Sequence, residues 1–210
     1  TGRRQWTRAP LLAAGPGLDD HVPAPLAGLE LADVEIEWPP ARSRIGLIAD
    51  RRAGTMSLVA PVSAGGFPVA SALEQDGLVA AWGAALSPLA RARCPIARVT
   101  WQEWCRPIGV DGHREYLADV RRGGAHAAAI ADYEQLLAEH APFTASHDVH
   151  VTLTLDMRRI HGRRGRDAAV DVLVEEARQL CSRLDAGSFT TAAPLSASEI
   201  ACAVRQRSDP

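Results

Sequence analysis

The chain has 210 residues, a formal net charge of −2, a hydrophobic fraction of 47% and only 5% aromatic residues. This length and apolar content exclude a disordered polymer and predict one folded domain, with or without a tail. The small net charge excludes a global attraction for nucleic acid or anionic lipid, although all 23 basic residues are arginine. No apolar run approaches the roughly 20 residues that span a bilayer. Because the chain begins with Thr1 and not Met, we expect it to be a segment of a longer protein.

Residues 1–33 predict an extended lead-in or juxtamembrane linker, because prolines and glycines interrupt its apolar runs. Residues 34–210 predict a single α+β domain. Within it, "DVEIEW" alternates as a short strand, and "RIGLIAD-RRAG-TMSLVAPV" predicts a β-hairpin with Gly54 in its turn. A helix follows from Ser71 to Arg93, capped by Ser71. Its apolar stripe consists of Leu73, Leu78, Ala81, Trp82, Ala85 and Leu89.

The second half of the chain alternates strands and helices. Strands are predicted at 96–105, 147–157 and 188–192, and helices at about 112–122, 125–140, 167–184 and 196–207. Gly187 is placed to end the long helix, and Ser196 with Glu199 predicts a capping box for the last one. A hairpin together with half-polar strands favours an antiparallel or mixed β-sheet with helices packed mainly on one face.

The four cysteines are widely spaced and form no paired metal motif, so we expect buried free thiols and no structural zinc site. The group His147, Asp148 and His150 also predicts no metal site. Adjacent strand positions point to opposite faces, so only Asp148 and His150 share one. We predict no cofactor and no metal.

The segment "HDVHVTLTLD" contains the His-x-Thr pattern of phosphoesterases that use two such motifs. His150 and Thr152 supply one motif, and no other histidine supplies the second. Period-2 alternation explains the whole segment as a half-buried strand. A phosphoesterase acting through His150 and Thr152 therefore stays the alternative hypothesis. The chain has no lysine, which excludes a Walker A nucleotide site.

Two surfaces are predicted as partner contacts. The first is the polar side of two strands with one neighbouring tryptophan: Arg98, Thr100, Gln102, Trp104, His150, Thr152 and Thr154. The second is an arginine cluster that can bind carboxylates or phosphates: Arg158, Arg159, Arg163, Arg164 and Arg166. Nucleic-acid binding through the arginine cluster is a further alternative, although the net charge makes nucleic acid an unfavoured partner.

Several segments together resemble a known family. They are "RIGLIADRRAGTMSLVAPV", "LVAAWGAALSPLARARCPIARVTWQEWCRP", "ADYEQLLAEHAPFTASHDVHVTLTLDMRR" and "LSASEIACAVRQRSDP", which lie within residues 42–210. The region resembles the soluble part of actinobacterial membrane proteins encoded in conjugation or secretion loci. It is similar in plan to the N-terminal, non-ATPase domain of conjugation ATPases of the TrbE/TraC type. It is more distantly similar to EccE-type components of type VII secretion.

The resemblance implies a non-enzymatic scaffolding domain on the cytoplasmic face of the cell membrane. Its partners would be other secretion or conjugation subunits, including a separate ATPase, and membrane attachment would come from segments outside this chain. The family supplies no catalytic residues that could be carried over to this sequence. Whether the domain forms a homo-oligomer stays open.

Overall fold

The computed structural model describes residues 7–9, 26, 28–63, 70–107, 111–122, 126–140, 145–160 and 165–208. Seven strands are present: β1 (Thr7–Ala9), β2 (Leu29–Trp38), β3 (Ala41–Asp50), β4 (Thr55–Ser63), β5 (Ile96–Pro107), β6 (Ala145–Asp156) and β7 (Thr190–Thr191). Five α-helices accompany them: α1 (Ala72–Leu86), α2 (Asp111–Arg122), α3 (Ala127–His140), α4 (Arg166–Ala186) and α5 (Ala197–Ser208). The fold is α+β, as the sequence predicts. None of the described helices combines the length and the hydropathy needed to cross a bilayer.

The sheet is antiparallel and has the strand order β1-β2-β3-β4-β6-β5, with the short β7 paired to β4. The predicted hairpin is confirmed: β3 and β4 pair next to the turn, where Gly54 takes a φ of +67°. That left-handed conformation favours glycine because it has no Cβ.

One face of the sheet carries the main core. Alternate residues of β3, β4 and β6 point into it, and α4 covers them with a stripe that is buried at helical spacing, including Leu173, Leu180 and Leu184. Each such leucine contributes about 1.5–3 kcal/mol through burial. Helix α1 packs on the same face through Trp82 and Ala85, and the Ser71–Glu74 capping box starts it. The prediction for Leu73 was wrong: it is 82% exposed, because the packed stripe begins at Leu78.

Helix α5 lies on the opposite face. Its Ala197, Ile200 and Ala201 are buried against Leu31, and the predicted Ser196–Glu199 capping box is present. A strand with apolar residues on both of its faces does not alternate. In β2, Leu31 points to the α5 side of the sheet, whereas the next core positions point to the main core. The regular alternation therefore covers only the later part of the strand, and β2 begins earlier than the alternation predicts, at Leu29.

The chain passes from α4 to α5 through a gap in the sheet. β3 and β4 pair only from Ile48↔Ser57 to Asp50↔Thr55, and beyond that point the segment 190–195 lies between them. Leu195 bridges the two strands: its N–H donates to the Val59 carbonyl at 2.8 Å, and its carbonyl accepts from the Gly46 N–H at 2.7 Å. This inserted segment holds α5 against the second face.

The chain forms two compact units. The first combines Thr1–Gln102 with His150–Pro210, and the second is Glu103–Val149. In the second unit α2 and α3 pack together through the buried Leu117 and Ile130, and Arg121 forms an ion pair with Glu134 at 2.6 Å.

The four cysteines are all free thiols, as predicted. Their burial differs from the prediction, because only Cys94 and Cys181 are buried, whereas Cys105 and Cys202 are exposed. An apolar neighbourhood in sequence does not bury a side chain on an edge strand or on the outer side of a helix. Burial raises the pKa of the Cys181 thiol to about 11.

Candidate functional site

A groove of about 510 Å³ runs along the second face of the sheet, beside α5. All of its lining residues belong to the first unit. One side is apolar and comes from the hairpin, the inserted segment and α5: Ile48, Val59, Leu195, Ile200, Ala203 and Val204. The other side is polar and comes from β5, β6 and the end of α5: Arg98, Thr100, Gln102, His150, Thr152, Thr154 and Arg207.

The polar side of the groove is the strand surface that the sequence predicts. β5 and β6 are neighbours in the sheet, and the even-numbered residues from Arg98 to Gln102 lie on the same face as those from His150 to Thr154. Opposite parity sends Val151 and Leu153 into the core. Six of the predicted contact residues therefore lie together, as period-2 geometry requires.

Hydrogen bonds position part of this surface. The Thr154 hydroxyl lies 2.9 Å from that of Ser57 on β4, and the His150 Nδ1 lies 3.3 Å from the Arg207 Nη2 on α5. Arg98 is exposed and makes no hydrogen bond or ion pair within the described part of the chain. The groove thus presents two guanidinium groups, and none of its described lining residues is acidic.

Two tryptophans of β5 lie in different settings. Trp101, on the core side of β5, is 41% exposed and packs edge to face on Trp82 with ring centroids 4.9 Å apart. Trp104 is half-buried and belongs to the second unit.

The arginine cluster is engaged within the protein at every member that the structure describes. Arg158 and Arg159 both face Asp156, at 3.0 Å and 3.8 Å, and Arg159 also donates to the Cys94 carbonyl at 3.1 Å. The hydrogen bond from Arg158 lowers the pKa of Asp156 below its ordinary value.

Arg166 is the remaining described member of the cluster. Arg166 lies 3.8 Å from Glu30 on β2. Arg163 and Arg164 lie outside the described residues. The described arginines therefore tie the end of β6 and the start of α4 to the fold, while the Arg158 side chain stays 78% exposed.

Sequence reasoning missed the contribution of α5 to the site. It identified α5 as a helix but not as a wall of the groove, so Arg207 and the apolar positions beside it were not predicted. One signal was available: Gly46 interrupts the apolar part of strand β3. A glycine inside a strand often marks a close approach of another backbone segment. A Cβ on Gly46 would lie 2.5 Å from the Ala197 nitrogen.

Comparison of the chain with protein-family models, with characterised proteins and with solved structures gives no match.

Proposed function

We propose that this chain is a non-enzymatic scaffolding domain that binds an acidic, amphipathic segment of a partner subunit in the groove beside α5. The observation that carries the proposal is the composition of the groove, which has an apolar wall facing a polar wall with two arginines and no carboxylate. An amphipathic segment would bury its apolar side chains against the first wall and place Asp or Glu against the second.

Charge complementarity selects an acidic partner. The chain as a whole has a net charge of −2, so the groove is positive on a slightly negative protein. The net negative charge of the protein repels an acidic partner segment, whereas the two groove arginines attract it. This difference favours binding at the groove and in one orientation. The Arg98 guanidinium is exposed and can pair bidentately with a carboxylate.

The groove supports binding better than catalysis. His150 is the single histidine among its lining residues, all of which the structure describes, and its Nδ1 faces Arg207. Phosphoester cleavage by the paired-histidine route needs one histidine as base and another as acid. We therefore favour scaffolding over the phosphoesterase alternative.

The sequence resemblance supplies the setting of the proposal. It suggests that the partner is a subunit of a conjugation or secretion machine at the cytoplasmic face of the membrane. The ATPase of such a machine is one of the candidate subunits. The partner segment in the groove would then belong to one of those subunits.

The test is site-specific crosslinking. A photo-reactive amino acid replaces Thr100 in the protein in native cells, and mass spectrometry identifies the crosslinked segment. We expect an acidic segment of a membrane-associated machine subunit. Because a charge-assisted hydrogen bond contributes ~1.5–3 kcal/mol, Arg98→Glu should lower the partner's affinity at least about tenfold.

A matched control lies on α5. Arg205 is exposed and on the same last turn as Arg207, but it does not line the groove. Arg207→Glu should reduce crosslinking and Arg205→Glu should not, although both place the same charge near the same helix end. Equal crosslinking in all three variants, or no adduct with a machine subunit, would overturn the proposal.

A further inference from the structure

Glu103, Cys105 and His147 lie close together on β5 and β6, within the unit Glu103–Val149. Each offers a different atom that can bind a metal: a carboxylate oxygen, a sulfur and an imidazole nitrogen. The His147 Nδ1 lies 2.8 Å from the Glu103 Oε1 and 3.1 Å from the Cys105 Sγ, and that sulfur lies 3.9 Å from the same Oε1. Glu103 and Cys105 are two residues apart on β5 and therefore share a face. His147 reaches them from β6.

The arrangement differs from a catalytic triad. In a triad the acid and the nucleophile contact different ring nitrogens of the histidine, so that the ring transfers a proton between them. Here both the carboxylate and the sulfur face Nδ1. The ring therefore cannot pass a proton from Cys105 to Glu103.

Hydrogen bonding alone satisfies this point poorly. If Nδ1 carries a hydrogen, it donates to the Glu103 Oε1 and leaves the Cys105 thiol only the long contact to the same oxygen; if it does not, it accepts from the thiol and its lone pair also faces a carboxylate oxygen. The remaining distance, from the Cys105 Sγ to the Glu103 Oε1, is 3.9 Å, so a hydrogen bond between these two atoms is weak. A cation at the centre would satisfy all three donor atoms at once.

We propose that Glu103, Cys105 and His147 form a binding site for a divalent cation of the zinc class. Thiolate, imidazole and carboxylate are the ligands that Zn²⁺ prefers, with bonds of about 2.0–2.3 Å. At a tetrahedral angle, such bonds separate the ligand atoms by about 3.3–3.7 Å. The observed separations of 2.8, 3.1 and 3.9 Å lie on both sides of that range, so small side-chain movements complete the site.

The chemistry of the site follows from its ligand count and exposure. As the metal–sulfur bond forms, the Cys105 thiol gives up its proton to solvent. Three protein ligands leave the fourth position to water, as in zinc sites that exchange ligands and unlike closed structural sites. Glu103 and His147 are 47% and 56% exposed, so the metal enters directly from solvent.

The experiment measures protection of a thiol. The chain is reduced and the reductant is removed in the absence of oxygen, and N-ethylmaleimide alkylation of each cysteine is then followed by mass spectrometry with and without Zn²⁺. Zinc should slow alkylation of Cys105 at least about tenfold, because a metal-bound thiolate reacts poorly. Cys202 is also exposed and free, and it is the control within the same molecule. Its rate should not change.

Variants assign the other two ligands. His147→Ala and Glu103→Gln should each weaken zinc binding by at least the ~10- to 100-fold that loss of a supporting residue costs at metal sites. His126→Ala, which changes another exposed histidine, should leave binding unchanged. Far-ultraviolet circular dichroism checks that each variant folds, and the isosteric Glu103→Gln keeps the test informative if His147→Ala does not fold.

Cobalt gives an independent signature. Co²⁺ bound at the site should produce a thiolate-to-metal charge-transfer band that Cys105→Ser abolishes and Cys202→Ser retains. Equal protection of both thiols, an absence of protection, or protection that survives His147→Ala and Glu103→Gln would each overturn the proposal. None of these measurements depends on the partner that occupies the groove.

Discussion

The close approach of α5 to Gly46 predicts a large effect for a single methyl group. In Gly46→Ala the new Cβ would lie 2.5 Å from the Ala197 nitrogen, 2.7 Å from the Ser196 carbonyl carbon and 2.8 Å from the Ile200 Cδ1. Two of these atoms are backbone, so a rotamer change cannot relieve the overlap. The start of α5 has to move away from the sheet, and the bond from the Gly46 N–H to Leu195 weakens with it.

The cost can be worked from these contacts. Overpacking of this kind costs ~1–3 kcal/mol, and loss of the Gly46–Leu195 hydrogen bond adds ~0.5–1.5 kcal/mol. Lower entropy of the unfolded chain offsets ~0.4–1 kcal/mol. We expect Gly46→Ala to lower the free energy of unfolding by about 2 kcal/mol, within limits of about 0.5–4 kcal/mol set by these ranges, against the 5–15 kcal/mol typical of a domain.

The assay is urea denaturation, combined with hydrogen exchange of the amides in 189–208. Gly77→Ala is the control, since Gly77 lies inside α1 and a Cβ there meets no atom within 4 Å. It should stabilise the protein by roughly 1 kcal/mol through helix propensity. Faster exchange in Gly46→Ala should be concentrated in the inserted segment and α5. A Gly46→Ala variant as stable as the wild type, with unchanged exchange in α5, would refute the packing argument.

Two further predictions concern titratable groups. In native protein without metal, maleimide should label Cys105 and Cys202 rapidly and leave Cys94 and Cys181 unlabelled until urea unfolds the chain; four rapid native labels would contradict the burial of the second pair. Asp156 has a lowered pKa in the folded state, chiefly because the arginine two residues later donates a hydrogen bond to it. Its contribution to stability is therefore complete above its unfolded pKa of ~3.9 and is lost as the pH falls through the lower folded value. Asp156→Asn should make the free energy of unfolding fall less steeply below about pH 4, and an unchanged slope would refute this.

Local signals in the sequence predicted most of the elements. The cap at Ser71, the capping box at Ser196 and the buried stripe of α4 depend on residues a few positions apart, and all are present. The polar surface from Arg98 to Gln102 and from His150 to Thr154 was also predictable, because strand parity alone fixes which residues share a face.

Features that depend on long-range register were not predictable in this way. The meeting of Glu103, Cys105 and His147 requires the alignment of β5 with β6, which no local pattern specifies. Likewise, the position of α5 follows from the passage of residues 190–195 through the sheet. The alternation of β2 breaks at Leu31 because α5 covers that side of the strand. The period-2 pattern therefore did not predict where β2 begins.

The inserted segment also covers backbone groups of the sheet that could otherwise pair with another chain. Where β3 and β4 separate, each strand would otherwise present a row of unpaired backbone groups, which is a template for pairing with other chains. Segment 190–195 occupies that opening from within the same molecule, with Leu195 bonded to both sides. The C-terminal part of the chain thus pairs with backbone groups of the sheet that would otherwise be unpaired, in addition to forming a wall of the groove. A protein that loses α5 and the residues before it would expose these backbone groups and lose one wall of the groove.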